Sequence, residues 1–275
     1  MILLINCIFS ALLVTLLMWL DRYEKEDITT MMKVFMGTIF ATSLYAIAIS
    51  WIITSFNTIT IVVVAPVLEE TWKFLIFIMV LHKFRREVNE SFDAIMYMGV
   101  IALGFAFYEN ITYYVSATWN SFLLSNLSAN SSYFNESLYN IFLARLVPGH
   151  LLFDIIAISI YGLSFKSGHK EVRLFFSWLT AIILHGIWNL SVRSNTVFAV
   201  YCFLLAGGAI YAVIKLLSIS RFKLEPQFGD ETLIPDKSTY DWSYYLLTWI
   251  FVIICGAVSL LVTYVIESIV ITFIN

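Results

Sequence analysis

The chain has 275 residues, 60% of them apolar and 13% charged, with a formal net charge of -3. A soluble domain carries about 25% charged residues, so this composition excludes a water-soluble globular domain, and no nucleic-acid partner is expected. Apolar runs long enough to cross a bilayer recur along the chain, which is the pattern of an all-α, polytopic integral membrane bundle.

About eight spans are expected, over about 1–20, 33–54, 58–81, 94–116, 139–164, 174–191, 197–219 and 242–272. They read as one transmembrane domain over 1–275, with an active-site core over about 58–191. The first run has no basic flank and no small-residue cleavage pattern, so it reads as a retained helix. Cys7, Cys202 and Cys255 lie scattered in apolar segments, without metal-ligand spacing or a disulfide framework.

The basic residues set an orientation. Arg22, Lys25 and Lys33 follow the first span, Lys83, Arg85 and Arg86 the third, Lys166, Lys170 and Arg173 the fifth, and Arg221, Lys223 and Lys237 the seventh. The loops between hold only Arg193. Lys and Arg concentrate in cytoplasmic loops, so a multi-pass protein of the cell membrane with both termini outside is expected. The polar stretch 117–138 then faces outward, and 220–241, with Pro226, Gly229 and Pro235, is an inner connector.

The third span carries Glu69, Glu70 and Lys73 near its middle, just after Pro66. A charge at that depth costs about 2.5–3.5 kcal/mol on insertion scales and usually faces a bundle interior or a wet cavity. The fourth span adds Glu109 and Asn110, the fifth Arg145, His150 and Asp154, and the sixth His185 and Asn189. Counted at about 1.5 Å per residue, these groups fall between the midplane and the outer third of their spans.

Glu69 and Lys73 stand four apart with the acid first, the favourable order for a helical ion pair; Glu70 lies about 100° round the helix and is left for another task. His150 and Asp154 are also four apart, as are His185 and Asn189. A carboxylate or amide one turn away can hold an imidazole in one tautomer. Pro148 and Gly149 loosen the chain before His150. Glu109 is either part of the reacting group or helix glue with Asn110, and Arg145 reads as an anchor snorkelling to the outer interface.

A glutamate in such a pocket can act as general base on water, with a histidine sharing the proton or supporting an oxyanion. The same set could hold a divalent metal such as zinc through His150, His185 and Glu70, although the zinc-helix signature H-E-x-x-H is absent. Whether a metal is needed is left open by the spacing.

At these residues the sequence resembles the PrsW family of intramembrane proteases, part of a wider group with the CAAX prenyl endopeptidases and the bacteriocin-processing or immunity membrane proteins. The matching pieces, in the family's order over about 65–190, are Pro66-x-x-Glu69-Glu70-x-x-Lys73, Gly104-Phe105-x-x-x-Glu109-Asn110, Pro148-Gly149-His150 and His185-x-x-Trp188-Asn189. The resemblance implies peptide-bond hydrolysis within the membrane. On it, Glu69 and Glu70 match the essential acidic pair and His150 and His185 the essential histidines, with Glu109 where the CAAX endopeptidases have histidine. It implies a membrane-protein substrate, the best-known role being cleavage of an anti-sigma factor in envelope stress.

The expected function is therefore an intramembrane endopeptidase. Glu69, Glu70, His150 and His185 carry it, and Lys73, Glu109, Asn110, Arg145, Asp154 and Asn189 support them. His185 and Asn189 are expected to hold the substrate's carbonyl oxygen. Two other classes stay open on the residues alone: a proton- or ion-coupled transporter, and a non-catalytic scaffold or immunity protein.

Cysteine-accessibility labelling of intact cells checks the orientation: positions within 117–138 should label from outside, and positions within 82–93 and 220–241 should not. Outside labelling within 82–93 overturns it.

Overall fold

A computed structural model of the chain describes residues 2–21, 26–52, 58–84, 87–125, 148–167, 169–192 and 194–224. All regular structure among them is helical. In order it comprises α1 (Ile2–Leu20), α2 (Ile28–Ile52), a π-helical turn (Thr60–Val64) running into α3 (Ala65–Lys83), and α4 (Asp93–Ser125). Then come α5 (Gly149–Gly162), a short turn (Ser164–Ser167), α6 (Lys170–Ser191) and α7 (Asn195–Leu224).

Four stretches are long and apolar enough to cross a membrane: Ile28–Ile47, Asp93–Ser116, Lys170–Ser191 and Thr196–Ser220. Against the expectation of about eight spans, four such stretches are found among the described residues. Asn6–Leu20 and Gly149–Gly162 are apolar but shorter, and α3 carries the charges of Glu69, Glu70 and Lys73. The expected span over 242–272 and the first part of that over 139–164 lie outside the described residues.

Helix starts follow local chemistry. α2 begins at Ile28 rather than near 33 because Asp27 caps it. The Asp27 Oδ2 accepts the Thr30 N–H at 3.0 Å, the Thr30 hydroxyl at 3.1 Å and the Thr29 hydroxyl. These hydrogen bonds, the Thr29 hydroxyl first, hold its carboxyl below the usual carboxylate range. α5 begins at Gly149, with Pro148 at φ -77° and ψ 64°. The Pro148–Gly149 pair therefore starts a helix instead of loosening one, and His150 sits in the first turn of α5.

Two compact units can be distinguished within the chain. The first comprises Met1–Leu16, Phe107–Val147 and Asp236–Asn275. In it the Asn110 amide donates to Asn6 Oδ1 at 3.0 Å, joining α4 to α1. This is the helix-joining use of an amide in a membrane bundle.

The second unit comprises Leu17–Ala106 and Pro148–Pro235. Its centre is the N-terminal part of α4, where Ile95, Met96, Tyr97, Met98 and Ile101 are wholly buried, with Phe92 just before the helix buried beside them. A helix buried all round belongs in the middle of a bundle. Gly104 lets α2 come close: a Cβ there would lie 3.0 Å from both the Phe35 carbonyl oxygen and Thr38 Cβ. α5 packs on α6 and α7, and α3 packs on α6. The Phe77 and Tyr161 rings meet edge to face at 5.7 Å between α3 and α5. α7 turns Phe203, Leu204, Tyr211 and Ile214 outward, an apolar face suited to lipid.

Gly104→Val should destabilise the protein by about 1–3 kcal/mol, the usual cost of forcing atoms into a packed site. A lowered unfolding temperature in detergent is the measurement, and an unchanged one contradicts the close α2–α4 packing.

Candidate active site

The site lies in the second unit, where α3, α5 and α6 meet. Helical spacing puts Glu70 and Lys73 three residues apart on one face of α3. The Lys73 Nζ lies 2.7 Å from Glu70 Oε2 and 2.5 Å from Asp154 Oδ2 on α5, and all three side chains are wholly buried. His150 Nδ1 stands 3.3 Å from the same ammonium. The Phe153 and Phe105 rings flank it, with centroids at 4.8 Å and 5.6 Å.

Glu70 also reaches α6. Its Oε1 lies 2.6 Å from His185 Nδ1. A carboxylate only accepts, so Nδ1 carries the proton and Nε2 keeps the lone pair. That Nε2 lies 3.8 Å from Glu69 Oε2. Phe153 stacks on the His185 ring at 4.9 Å and 20°, and the His150 ring crosses it at 5.0 Å and 84°. The second imidazole and the aromatic wall thus come from one face of α5, three residues apart.

Glu69, His150 and His185 each offer one ligand atom, and these atoms lie within 4.8 Å of one another. Two imidazole nitrogens and one carboxylate oxygen, with a further position for water, is the donor set of a catalytic zinc centre. Glu70 on His185 Nδ1 is the outer carboxylate that orients such a ligand. The residues present therefore fit a divalent ion. The acid in the group is Glu69, not the expected Glu70, because Glu70 is turned toward Lys73 and His185.

Other expectations change with the packing. Lys73 is paired with Glu70 and Asp154 rather than Glu69. Asp154, expected beside His150, bonds Lys73. The Asn189 amide, expected at a substrate carbonyl, donates to the Ile61 carbonyl oxygen of the π turn at 2.9 Å. Glu109 and Asn110 fall in the first unit, and Arg145 lies outside the described residues. Phe105 and Phe153 were not predicted; the three-residue spacing of Phe153 from His150 is the signal that could have found it. Trp188 faces Gly149, where a Cβ would come within 2.7 Å of the indole, which joins two of the matching motif pieces in space.

The pattern for PrsW family intramembrane metalloproteases matches residues 26–217. The chain belongs to this family. It is similar to Protease PrsW of Clostridioides difficile (strain 630), 29% identical over 180 residues that cover 62% of this chain and 69% of that one. It is also similar to Protease PrsW of Oceanobacillus iheyensis, 27% identical over 134 residues, 48% of this chain and 53% of that one. No solved structure matches. Family membership makes the chain a membrane-embedded protease acting on a membrane-protein substrate, and the four motif pieces that carried the resemblance all lie within the matched residues.

Removing the one cation from the buried pair of acids tests the network. Lys73→Met should destabilise the protein by about 3–5 kcal/mol, the cost of leaving buried charge unpaired. Adding Asp154→Asn should recover part of that loss, and adding Glu69→Gln should not. Thermal unfolding in detergent reads both, and recovery by Glu69→Gln instead returns the pair to Glu69.

Proposed function

We propose that the chain hydrolyses a peptide bond of a membrane-spanning substrate at Glu69, His150 and His185, with Glu70, Lys73 and Asp154 holding them. The observation that carries this is the difference between the two neighbouring acids. The Glu70 side chain is wholly buried and tied to Lys73 and His185, whereas that of Glu69 keeps 18% exposure. An acid that must reach water needs access, and one that orients a histidine needs burial and partners.

In this reading water enters beside Glu69, whose carboxylate takes its proton as the oxygen attacks the scissile carbonyl carbon. The Glu70–His185 hydrogen bond keeps the Nε2 lone pair facing Glu69, where it can serve as a ligand, and Glu69 returns the proton to the leaving amine as the C–N bond breaks. Lys73, paired with Glu70 Oε2 at 2.7 Å, holds that side chain against His185 Nδ1 and so fixes the direction of the ring. Glu69, His150 and His185 would hold a zinc or similar ion, which when bound supplies a water of lowered pKa and a Lewis acid for the carbonyl.

The finer points of the family role are carried by the resemblance alone. They are an anti-sigma factor substrate, a part in envelope stress, and a multi-pass place in the cell membrane with both termini outside. The name that both relatives carry, Protease PrsW, supports hydrolysis over transport.

Cleavage of a single-span substrate by the reconstituted protein tests the assignment. Glu69→Gln and His185→Ala should each lower the rate on the order of 10²–10⁴-fold, the usual effect of losing a general base. Because the groups act together, the double variant should be hardly slower than the worse single one. Chelation should abolish cleavage and added zinc restore it. Wild-type rates in folded Glu69→Gln, Glu70→Gln, His150→Ala and His185→Ala proteins overturn the assignment.

A further inference from the structure

The π turn before α3 leaves one carbonyl without a helical partner. Ile61 O would ordinarily accept from the N–H four residues on, at Ala65, or five on, at residue 66. The Ala65 N–H goes to Thr60 O instead. Residue 66 is Pro66, which has no N–H. Inside a membrane an unsatisfied carbonyl is costly, because no water is at hand to take its place.

A neighbouring helix supplies the missing donor. The Asn189 Nδ2 donates to Ile61 O at 2.9 Å. One turn earlier on α6, Gly186 lies against the same π turn: a Cβ there would sit 2.7 Å from the Val62 carbonyl oxygen. Only a residue without a side chain lets the backbones approach so closely. Farther along α3 and α6, Trp178 Nε1 donates to Thr71 Oγ1 at 3.1 Å. The two ties are ten residues apart on one chain segment and eleven on the other, about 15–16 Å at 1.5 Å per residue, so the two helices run antiparallel in matched register. His185 and the two glutamates lie between the ties.

We infer that Asn189 is a positioning residue that replaces the backbone donor lost at Pro66 and so sets the register of α6 that brings His185 to Glu69 and Glu70. The inference rests on the proposed roles of those three residues. It assigns the Asn189 amide to the enzyme's own backbone rather than to the substrate carbonyl. It also explains why Pro66 and Asn189 belong together although 123 positions separate them in the sequence.

The test is a pair of single variants and their combination, made in the full chain and assayed in vesicles with a single-span peptide substrate. Asn189→Leu keeps the volume and removes the donor. Its kcat should fall on the order of 100-fold, as a displacement of about 1 Å in a reacting group does, with KM little changed. Pro66→Ala restores a backbone N–H and should leave the rate near that of the unaltered protein. The combination should recover most of the lost kcat, and the unfolding temperature in detergent should follow the same pattern. If Asn189→Leu does not accumulate folded, recovery of folded protein in the combination is the expected result and its absence overturns the inference. A combination as slow and as unstable as Asn189→Leu alone, or an Asn189→Leu protein of full rate, also overturns it. Glu69→Gln, measured alongside, separates the two readings. Full activity there sinks the proposed catalytic assignment, while the thermal coupling of positions 66 and 189 still judges the donor replacement.

Discussion

The Lys73 ammonium is where α3 and α5 are locked together. One cation faces two wholly buried carboxylates, Glu70 at 2.7 Å and Asp154 at 2.5 Å, and removing the cation leaves both acids without a counter-charge and with no solvent to screen them. Glu70 then passes the constraint on to α6 through the His185 Nδ1 hydrogen bond. Such a network is a poor source of net stability, since desolvating its members cancels much of their attraction. Its use here is geometric: it gives His185 one tautomer and one direction, and it puts the His150 ring beside it.

Two adjacent glutamates thereby acquire different chemistry from identical side chains. Glu70 points into the protein and spends its hydrogen-bonding capacity on Lys73 and His185. Glu69, one position earlier and about 100° round α3, keeps 18% exposure and comes within reach of both histidines. On the proposed assignment, environment divides the work between an orienting acid and a reacting one, as it does in other enzymes that place two carboxylates in one site.

The helix irregularity next to this site is part of the same construction. A π turn followed by proline leaves the Ile61 carbonyl without its usual helical donors. α6 covers the defect with Gly186 and an asparagine amide, so the break becomes a point of attachment between two helices. The aromatic wall of Phe105 and Phe153 closes the group on the α4 and α5 sides.

Much of this protein is legible in its sequence for a simple energetic reason. Charged and polar groups are expensive inside apolar helices, so Glu69, Glu70, Lys73, His150, Asp154, His185 and Asn189 stand out, and the structure brings all seven into the second unit. The helical class and the approximate bounds of α1, α3, α6 and α7 follow from apolar runs in the same way. Asn110 shows another use of a costly polar group, its amide joining α4 to α1. What spacing could not decide is which partner each group takes. Glu69 and Lys73 have the better local spacing for an ion pair, yet Lys73 meets Glu70, because Asp154 and His185 arrive from other helices on that side of α3. Asn189 has a histidine one turn away, yet its amide serves a carbonyl on α3 that a distant proline left without a donor. Helical periodicity determines which residues share a face; only the rotation and register of α3, α5 and α6 against one another decide what that face touches.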